Sequence, residues 1–298
     1  MSDAATPNGP ATVAVIATES TQRASDGCVL FAYQWSSREA DAGSAAVVVL
    51  MHGYAEHCGR YREFAEFLVR AGHPVAGIDA RGHGRSPGQR GHINNFDRHI
   101  DDLHGFALAI RQRYEKRPLV VLGHSHGGLT ALRMVQARPP VADRLVLTSP
   151  LVALQESQKT VPLWVASILS AVIGRLPIPN GLRTSDLSHD PAILEAQERD
   201  PLNHKLCSPR WYAVMTAAMD EAMANLSLVR LPVLVIEAES DPIVLPAGVT
   251  RMYEGLASAD KELVIVQNSF HEVLNEVGRE QTYRKIGAWL AAHASAAA

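Results

Sequence analysis

Leu119-Val120-Val121-Leu122-Gly123-His124-Ser125-His126-Gly127-Gly128-Leu129 joins an apolar run to a glycine-rich turn. The apolar run 119–122 predicts a short buried strand, and 127–137 reads as a helix. Between them stands Gly-x-Ser-x-Gly, in the strand, tight turn and helix context that such a serine elbow requires. The spacing has a physical reason. The serine must sit on a strained turn with its oxygen exposed, and glycines two residues to either side bring no Cβ into the neighbouring strand and helix. The start of the following helix presents unpaired N–H groups and a positive dipole end, which favour developing negative charge. Ser125 is the expected nucleophile.

Outward from the elbow, β-branched runs alternate with amphipathic stretches, the pattern of a parallel α/β sheet covered on both faces. Core strands are expected at 46–51, 74–78, 119–122, 144–148, 233–237 and 262–266, preceded by two more near 11–18 and 28–35. Helices are expected at 60–71, 98–114, 127–137, 247–256 and 278–293. In the first, Phe64, Phe67 and Leu68 share one face. The alternation breaks between 151 and 227, a stretch rich in Leu, Pro, Trp and Met that reads as helices and loops. The expected division is a core in two parts, 1–150 and 228–298, with a helical cap at 151–227. Such an insertion lies over the strand ends, where open α/β sheets bind ligands.

The chain has 298 residues, 47% of them hydrophobic, enough for a large core without disulfides or a structural metal. A net charge of −3 with no basic stripe argues against a nucleic-acid partner. Cys28, Cys58 and Cys207 show neither a disulfide framework nor a zinc pattern and read as reduced thiols. Residues 1–12 lack the basic start and apolar run of a secretory signal. The longest apolar stretch, 161–174, is too short to span a bilayer and suits a core, re-entrant or interfacial segment. A cytoplasmic protein without cofactor or metal is expected. Residues 291–298 read as a fraying helix end, and no oligomeric state follows from the sequence.

A serine hydroxyl needs a base to take its proton. The turn splays the rings of His124 and His126 away from the serine oxygen. With an elbow of this kind the acid and then the histidine follow the serine along the chain. His271, in a short loop after strand 262–266, is the expected base. His189 and His204 fall in the cap, and His293 in the C-terminal tail. Asp241, in the loop after strand 233–237, is the expected acid. Glu237 lies within that strand, and Glu239 reads as a solvated charge. An oxyanion needs backbone donors. The N–H of His126, next after the serine, is one, and Tyr54, in the loop after strand 46–51, supplies the other. The His126 imidazole is expected either to line the pocket or to be solvated. His52 and His57 read as loop-shaping residues, since no zinc-type spacing accompanies them.

Two longer motifs accompany the elbow, the 52–61 stretch His-Gly-Tyr-Ala-Glu-His-Cys-Gly-Arg-Tyr and the 79–91 stretch Asp-Ala-Arg-Gly-His-Gly-Arg-Ser-Pro-Gly-Gln-Arg-Gly. With Asp200-Pro201-Leu202, Asp241 and His271-Glu272, they resemble the monoacylglycerol lipase and lysophospholipase-like branch, of serine aminopeptidase S33 type, of the α/β-hydrolase family. The resemblance spans about residues 26–290. It implies a mostly parallel eight-stranded sheet flanked by helices, with a helical lid inserted after the sixth strand. It also implies ester hydrolysis through an acyl-enzyme, with Ser125, Asp241 and His271 as triad and Tyr54 and His126 as oxyanion donors. A lipid or ester, a monoacylglycerol or lysophospholipid, is the implied substrate. Glu56 and Arg60 match the alcohol-binding positions, although a plain ion pair steadying the loop explains them equally well. Arg81 and His83 read as loop scaffold.

Tyr54 and His126 depart from the small and apolar residues usual at their positions, which alters the pocket wall. The expected cap carries Trp164, Ile168, Leu169, Val172, Ile173 and Leu176, which suit an acyl chain, a transient membrane-surface contact or packed core. Acyl transfer, short-ester hydrolysis, perhydrolysis and carbon–carbon hydrolysis are alternatives on the same fold, and a non-catalytic binding protein is a further one.

Overall fold

The computed structural model describes residues 13–158 and 163–294, with Leu163 and Trp164 as backbone only. The reading of 1–12, the first residues of the apolar stretch, the Trp164 side chain and the tail 295–298 lie outside the described residues.

In chain order the elements are β1 (Ile16–Arg23), β2 (Val29–Ser36), α1 (Arg38–Ala42), β3 (Val47–Met51), α2 (Arg62–Arg70), β4 (Val75–Ile78), α3 (Asp97–Arg113), β5 (Leu119–His124), α4 (His126–Ala137) and β6 (Arg144–Thr148). There follow α5 (Leu163–Ile173), β7 (Ile178–Pro179), α6 (Pro191–Arg199), β8 (Leu206–Cys207) and α7 (Pro209–Ala224). The chain then returns to the sheet with β9 (Val233–Ala238), α8 (Pro246–Gly255), β10 (Lys261–Val266) and α9 (Arg279–Ala292). The eight-stranded sheet has the order β1-β2-β4-β3-β5-β6-β9-β10. Its strands are parallel from β4 to β10, while β2 runs antiparallel to both β1 and β4. This is the α/β-hydrolase architecture.

The alternation of side chains along β5 explains the layering. Leu119 and Val121 join one core with α3, α4 and α8, whereas Val120 and Leu122 join a second core with α2 and α9. Both faces are dry, which is why the central strands read as continuous apolar runs. In α2 the buried face is Phe64, Ala65, Leu68 and Val69, with Phe67 partly buried beside it. Residues 60 and 61, expected to open this helix, belong instead to a separate 3₁₀ turn, Cys58–Tyr61.

Two further expectations are corrected. The first strand starts later than 11–18 because β1 is an edge strand exposed along almost its whole length, so no apolar alternation marks its register. The segment between β6 and β9 is not free of strand. β7 and β8 form a two-residue antiparallel ladder, Ile178 opposite Cys207 and Pro179 opposite Leu206, too short to leave a period-two signal. Among the described residues no helix is long and apolar enough to cross a membrane.

The segment between β6 and β9 is fastened to the loops at the carboxyl ends of the strands. Leu154 bridges to Val244, and the Gln155 side chain donates to the Asp241 carbonyl at 2.8 Å. The Glu272 N–H donates to the Leu187 carbonyl at 2.8 Å.

Candidate active site

β5 ends at His124 and α4 begins at His126, so Ser125 alone makes the turn. Its backbone sits at φ 51°, ψ −116°, a conformation that costs a non-glycine residue about 1–3 kcal/mol. The close approach of helix and strands holds it there. A Cβ on Gly123 would meet the backbone of Gly127 and Gly128, and one on Gly127 the carbonyls of Met51 and His52. Gly127→Ala is therefore expected to destabilise the protein by about 3 kcal/mol, because backbone cannot yield as a side chain can. An unchanged urea midpoint for this variant would contradict that packing.

Three residues chosen from sequence meet at this turn. His271 Nε2 lies 2.8 Å from Ser125 Oγ, and His271 Nδ1 lies 2.7 Å from Asp241 Oδ2. The other Asp241 oxygen, Oδ1, accepts the N–H groups of Ile243 at 2.8 Å and Val244 at 2.9 Å, which fixes the carboxylate. All three residues are buried. The competing residues are elsewhere. Glu237 is buried in β9 without a hydrogen-bond partner among the described residues, and burial, aided by the Asp241 charge, pushes its carboxyl well above the ordinary range. Glu239 caps the Asn268 N–H at 3.0 Å. His189 pairs with Glu276, His293 with Asp260, and His204 packs against Tyr54.

Burial opposes a charged His271, but the charge and hydrogen bond of Asp241, with smaller contributions from Glu272 and Glu56, outweigh it and raise the imidazole above its ordinary 6.5. A base must be neutral to take a proton. Activity is therefore expected to fall as pH drops through that raised value, about tenfold in kcat/KM per pH unit below it. Glu272→Gln removes one of the charges that favour the imidazolium, so its acidic limb should move to lower pH. A pH–rate profile of the variant with the limb unmoved, or moved upward, would contradict the electrostatics.

The two backbone amides chosen as oxyanion donors differ in their side chains. The His126 N–H begins α4, where no intrahelical acceptor exists. Neither it nor the Tyr54 N–H donates to another group among the described residues. The His126 ring corrects the expectation. It neither lines the pocket nor meets solvent, but is fully buried against His99 at 4.8 Å, Phe96 at 5.5 Å and His83 at 5.9 Å between ring centroids. Burial holds it well below the ordinary histidine range, hence neutral. Tyr54 does line the pocket. His124 also lines it, its Nδ1 held by Thr148 and its ring 4.9 Å from that of His271.

The pocket above Ser125 has about 1110 Å³ of atom-free space, part of it open solvent. Its walls are largely apolar and come from the segment between β6 and β9, with Leu151, Ala166, Leu169, Ile178, Trp211 and Met215 among them. The floor is polar, with Glu56, His124, Ser125, His271 and Glu272. Of the expected apolar stripe, Leu169 faces the pocket, whereas Ile168, Val172, Ile173 and Leu176 are exposed.

Glu56 and Arg60 are brought together, but not as an isolated pair. Arg60 bonds Glu56 and also grips Glu272 through both terminal nitrogens at 2.8 and 2.7 Å. Glu56 further accepts from the Gly53 N–H and the Tyr61 hydroxyl, both at 2.6 Å. Burial works against ionised Glu272, but Arg60 outweighs it and brings the carboxyl down to about 2. Burial raises Glu56, and the Glu272 charge adds to what Arg60 offsets. Glu56 and Glu272 face the pocket, and Arg60 stands behind them. Glu272 was missed as a site residue. Its only sequence signal is its place directly after His271, 212 residues from Arg60.

Arg81 is scaffold, locked between Asp102 and Asp26, and His83 packs against His52 and Tyr54. His57 pairs with Asp200 at 2.8 Å. Among the described residues no group of three or more His, Cys, Asp or Glu side chains is placed to hold a metal ion.

Comparison with known proteins gives a consistent picture. The profile of the family described as serine aminopeptidase, S33, matches residues 42–278. The chain is 30% identical over 254 residues to the monoacylglycerol lipase of Mycolicibacterium smegmatis, covering 85% of this chain and 90% of that protein. It is 30% identical over 241 residues to phospholipase YtpA of Bacillus subtilis, covering 80% and 92%. Among solved structures, the monoacylglycerol lipase of Paleococcus ferrophilus superposes with a TM-score of 0.80 at 29% identity, over 89% of this chain and 99% of that one.

Proposed function

Since the chain belongs to the serine aminopeptidase S33 family of α/β-hydrolases, we propose that it is a serine ester hydrolase that cleaves monoacylglycerols through an acyl-enzyme on Ser125. The observation that carries this reading is the continuous line from Asp241 through His271 to the Ser125 oxygen, lying at the polar floor of an otherwise apolar pocket.

The geometry supports the following course. Ser125 Oγ attacks the ester carbonyl while His271 Nε2 takes its proton, and Asp241 stabilises the imidazolium and holds its tautomer. The carbonyl oxygen becomes negative and is held by the N–H groups of Tyr54 and His126, next to the positive end of α4. As the tetrahedral species collapses, the C–O bond breaks and His271 gives its proton to the departing alcohol. Water, deprotonated by His271, then attacks the acyl-enzyme; as the bond between Ser125 Oγ and the acyl carbon breaks, His271 returns the proton to Oγ and the fatty acid leaves.

The two ends of the pocket suit the two ends of a monoacylglycerol. The apolar walls receive the chain, and the segment 151–227 acts as the cap. Glu56 and Glu272 face the alcohol, with Arg60 behind them. Two carboxylates share one guanidinium there, so this end carries excess negative charge. It favours the uncharged hydroxyls of glycerol over the phosphate of a lysophospholipid. Ile168, Val172, Ile173 and Leu176, exposed on and just after the helix whose Ala166 and Leu169 line the pocket, form the surface that touches a lipid aggregate. Three free thiols support a reducing, cytoplasmic setting.

A panel of monoacylglycerols, lysophospholipids, short esters and aminoacyl anilides tests the substrate reading. Monoacylglycerols should give the highest kcat/KM. Preference for an aminoacyl anilide or a lysophospholipid would overturn it. Product analysis with added alcohols separates hydrolysis from acyl transfer.

A further inference from the structure

An oxyanion donor lowers a barrier only if it is already in place when the charge develops. The peptide that carries the Tyr54 N–H is held at its Gly53 carbonyl, and the peptide before it at the Gly53 N–H. The Gly53 N–H donates to Glu56 at 2.6 Å. The Gly53 carbonyl lies 2.6 Å from His52 Nδ1, while His52 Nε2 accepts the Ala80 N–H at 2.9 Å. A backbone N–H can only donate, so Nε2 is the unprotonated nitrogen and Nδ1 carries the hydrogen. His52 therefore donates to the Gly53 oxygen and fixes the plane of the Gly53–Tyr54 peptide.

The Tyr54 end is fixed by something outside the core sheet. Its hydroxyl donates to the Leu206 carbonyl on β8 at 2.5 Å. Its ring lies on Trp211, at the start of α7, with centroids 3.8 Å apart and planes inclined by 31°. The next residue continues the attachment, since the Ala55 carbonyl accepts the His204 N–H at 3.0 Å. All these partners belong to one limb, residues 200–211, which the His57–Asp200 pair also ties down.

We propose that the Tyr54 side chain is a positioning residue that couples the oxyanion donor on its own backbone to the docking of the 200–211 limb. The inference rests on the reading of the Tyr54 N–H as an oxyanion donor. It explains why a large phenol stands where a small residue would suffice for the amide alone. The donor keeps its place while the limb is seated, and a displaced limb leaves Ser125 and His271 paired but weakens the hold on the transition state.

The test uses Tyr54→Phe, which keeps the ring and loses the bond to Leu206, and Trp211→Leu, which removes the ring contact from the other side. Each is assayed on p-nitrophenyl butyrate and with an alkyl trifluoromethyl ketone, which forms a tetrahedral adduct. Rates are normalised to sites titrated by a fluorophosphonate. Tyr54→Phe should lower kcat per titrated site on the order of tenfold, a fraction of the ~100- to 1,000-fold seen when a donor is lost outright. KM should stay within twofold, and ketone affinity should fall by the same factor as kcat. The double variant should lose less than the product of the two single losses. A merely structural Tyr54 would lower the number of titrated sites and leave kcat per site and ketone affinity within twofold of wild type, which overturns the proposal. Wild-type protein that neither hydrolyses the ester nor binds the ketone overturns the underlying reading, and the inference with it.

Discussion

Ser125→Ala is expected to lower kcat/KM for monoacylglycerol hydrolysis by on the order of a millionfold, with the fold intact. The size follows from the arrangement. Without Oγ, His271 Nε2 loses the group it deprotonates at 2.8 Å, and no acyl-enzyme can form. What survives comes from binding and from the backbone amides of Tyr54 and His126, which the substitution does not remove. The fold should be unaffected because the turn is held by the contacts of Gly123 and Gly127 rather than by the serine hydroxyl. Circular dichroism and thermal melting of the variant check that part independently. Retention of more than a hundredth of the wild-type rate would remove Ser125 from the mechanism.

Asp241→Asn should cost about 10⁴-fold in kcat, and the geometry says why so small a change has so large an effect. Oδ1 of residue 241 accepts two backbone N–H groups, from Ile243 and Val244. An asparagine must keep its carbonyl oxygen there, because an NH₂ group cannot accept. Its Nδ2 then faces His271 Nδ1 and donates to it. His271 is forced into the tautomer with hydrogen on Nε2, aimed at the Ser125 oxygen, and can no longer act as base. Asp241→Ala leaves the tautomer free and removes the charge, so it should be less damaging than Asp241→Asn despite deleting more atoms. Steady-state kinetics of the two variants side by side give the order. The reverse order would mean that charge alone, and not tautomer control, is what Asp241 contributes.

The parts of this molecule that were legible in sequence are those set by local rules. The elbow could be read because backbone contacts at Gly123 and Gly127 leave no room for a side chain. The sheet could be read because β3, β5, β6 and β9 are dry on both faces and leave unbroken apolar runs. Asp241 and His271, which the fold brings into one hydrogen-bonded line with Ser125, could be singled out because chain order and the ends of β9 and β10 limit the choices. What escaped was set by three-dimensional context. β1 is too exposed to show its register, and β7 and β8 are too short. The direction of the ring next to Ser125 also escaped, since α4 turns the His126 side chain towards α3 and away from the pocket. Glu272 gains its role only when folding carries it to Arg60. His52 acts through the carbonyl of its own neighbour, a contact that no spacing announces.

Reaction with a fluorophosphonate decides whether Ser125 is an activated nucleophile, because the reagent labels a serine only when a base and an oxyanion site activate it. A single stoichiometric adduct is expected, located by peptide mass spectrometry on Ser125, abolished in Ser125→Ala and slowed in His271→Ala. An unlabelled protein, or an adduct on any other residue, would contradict that role of Ser125.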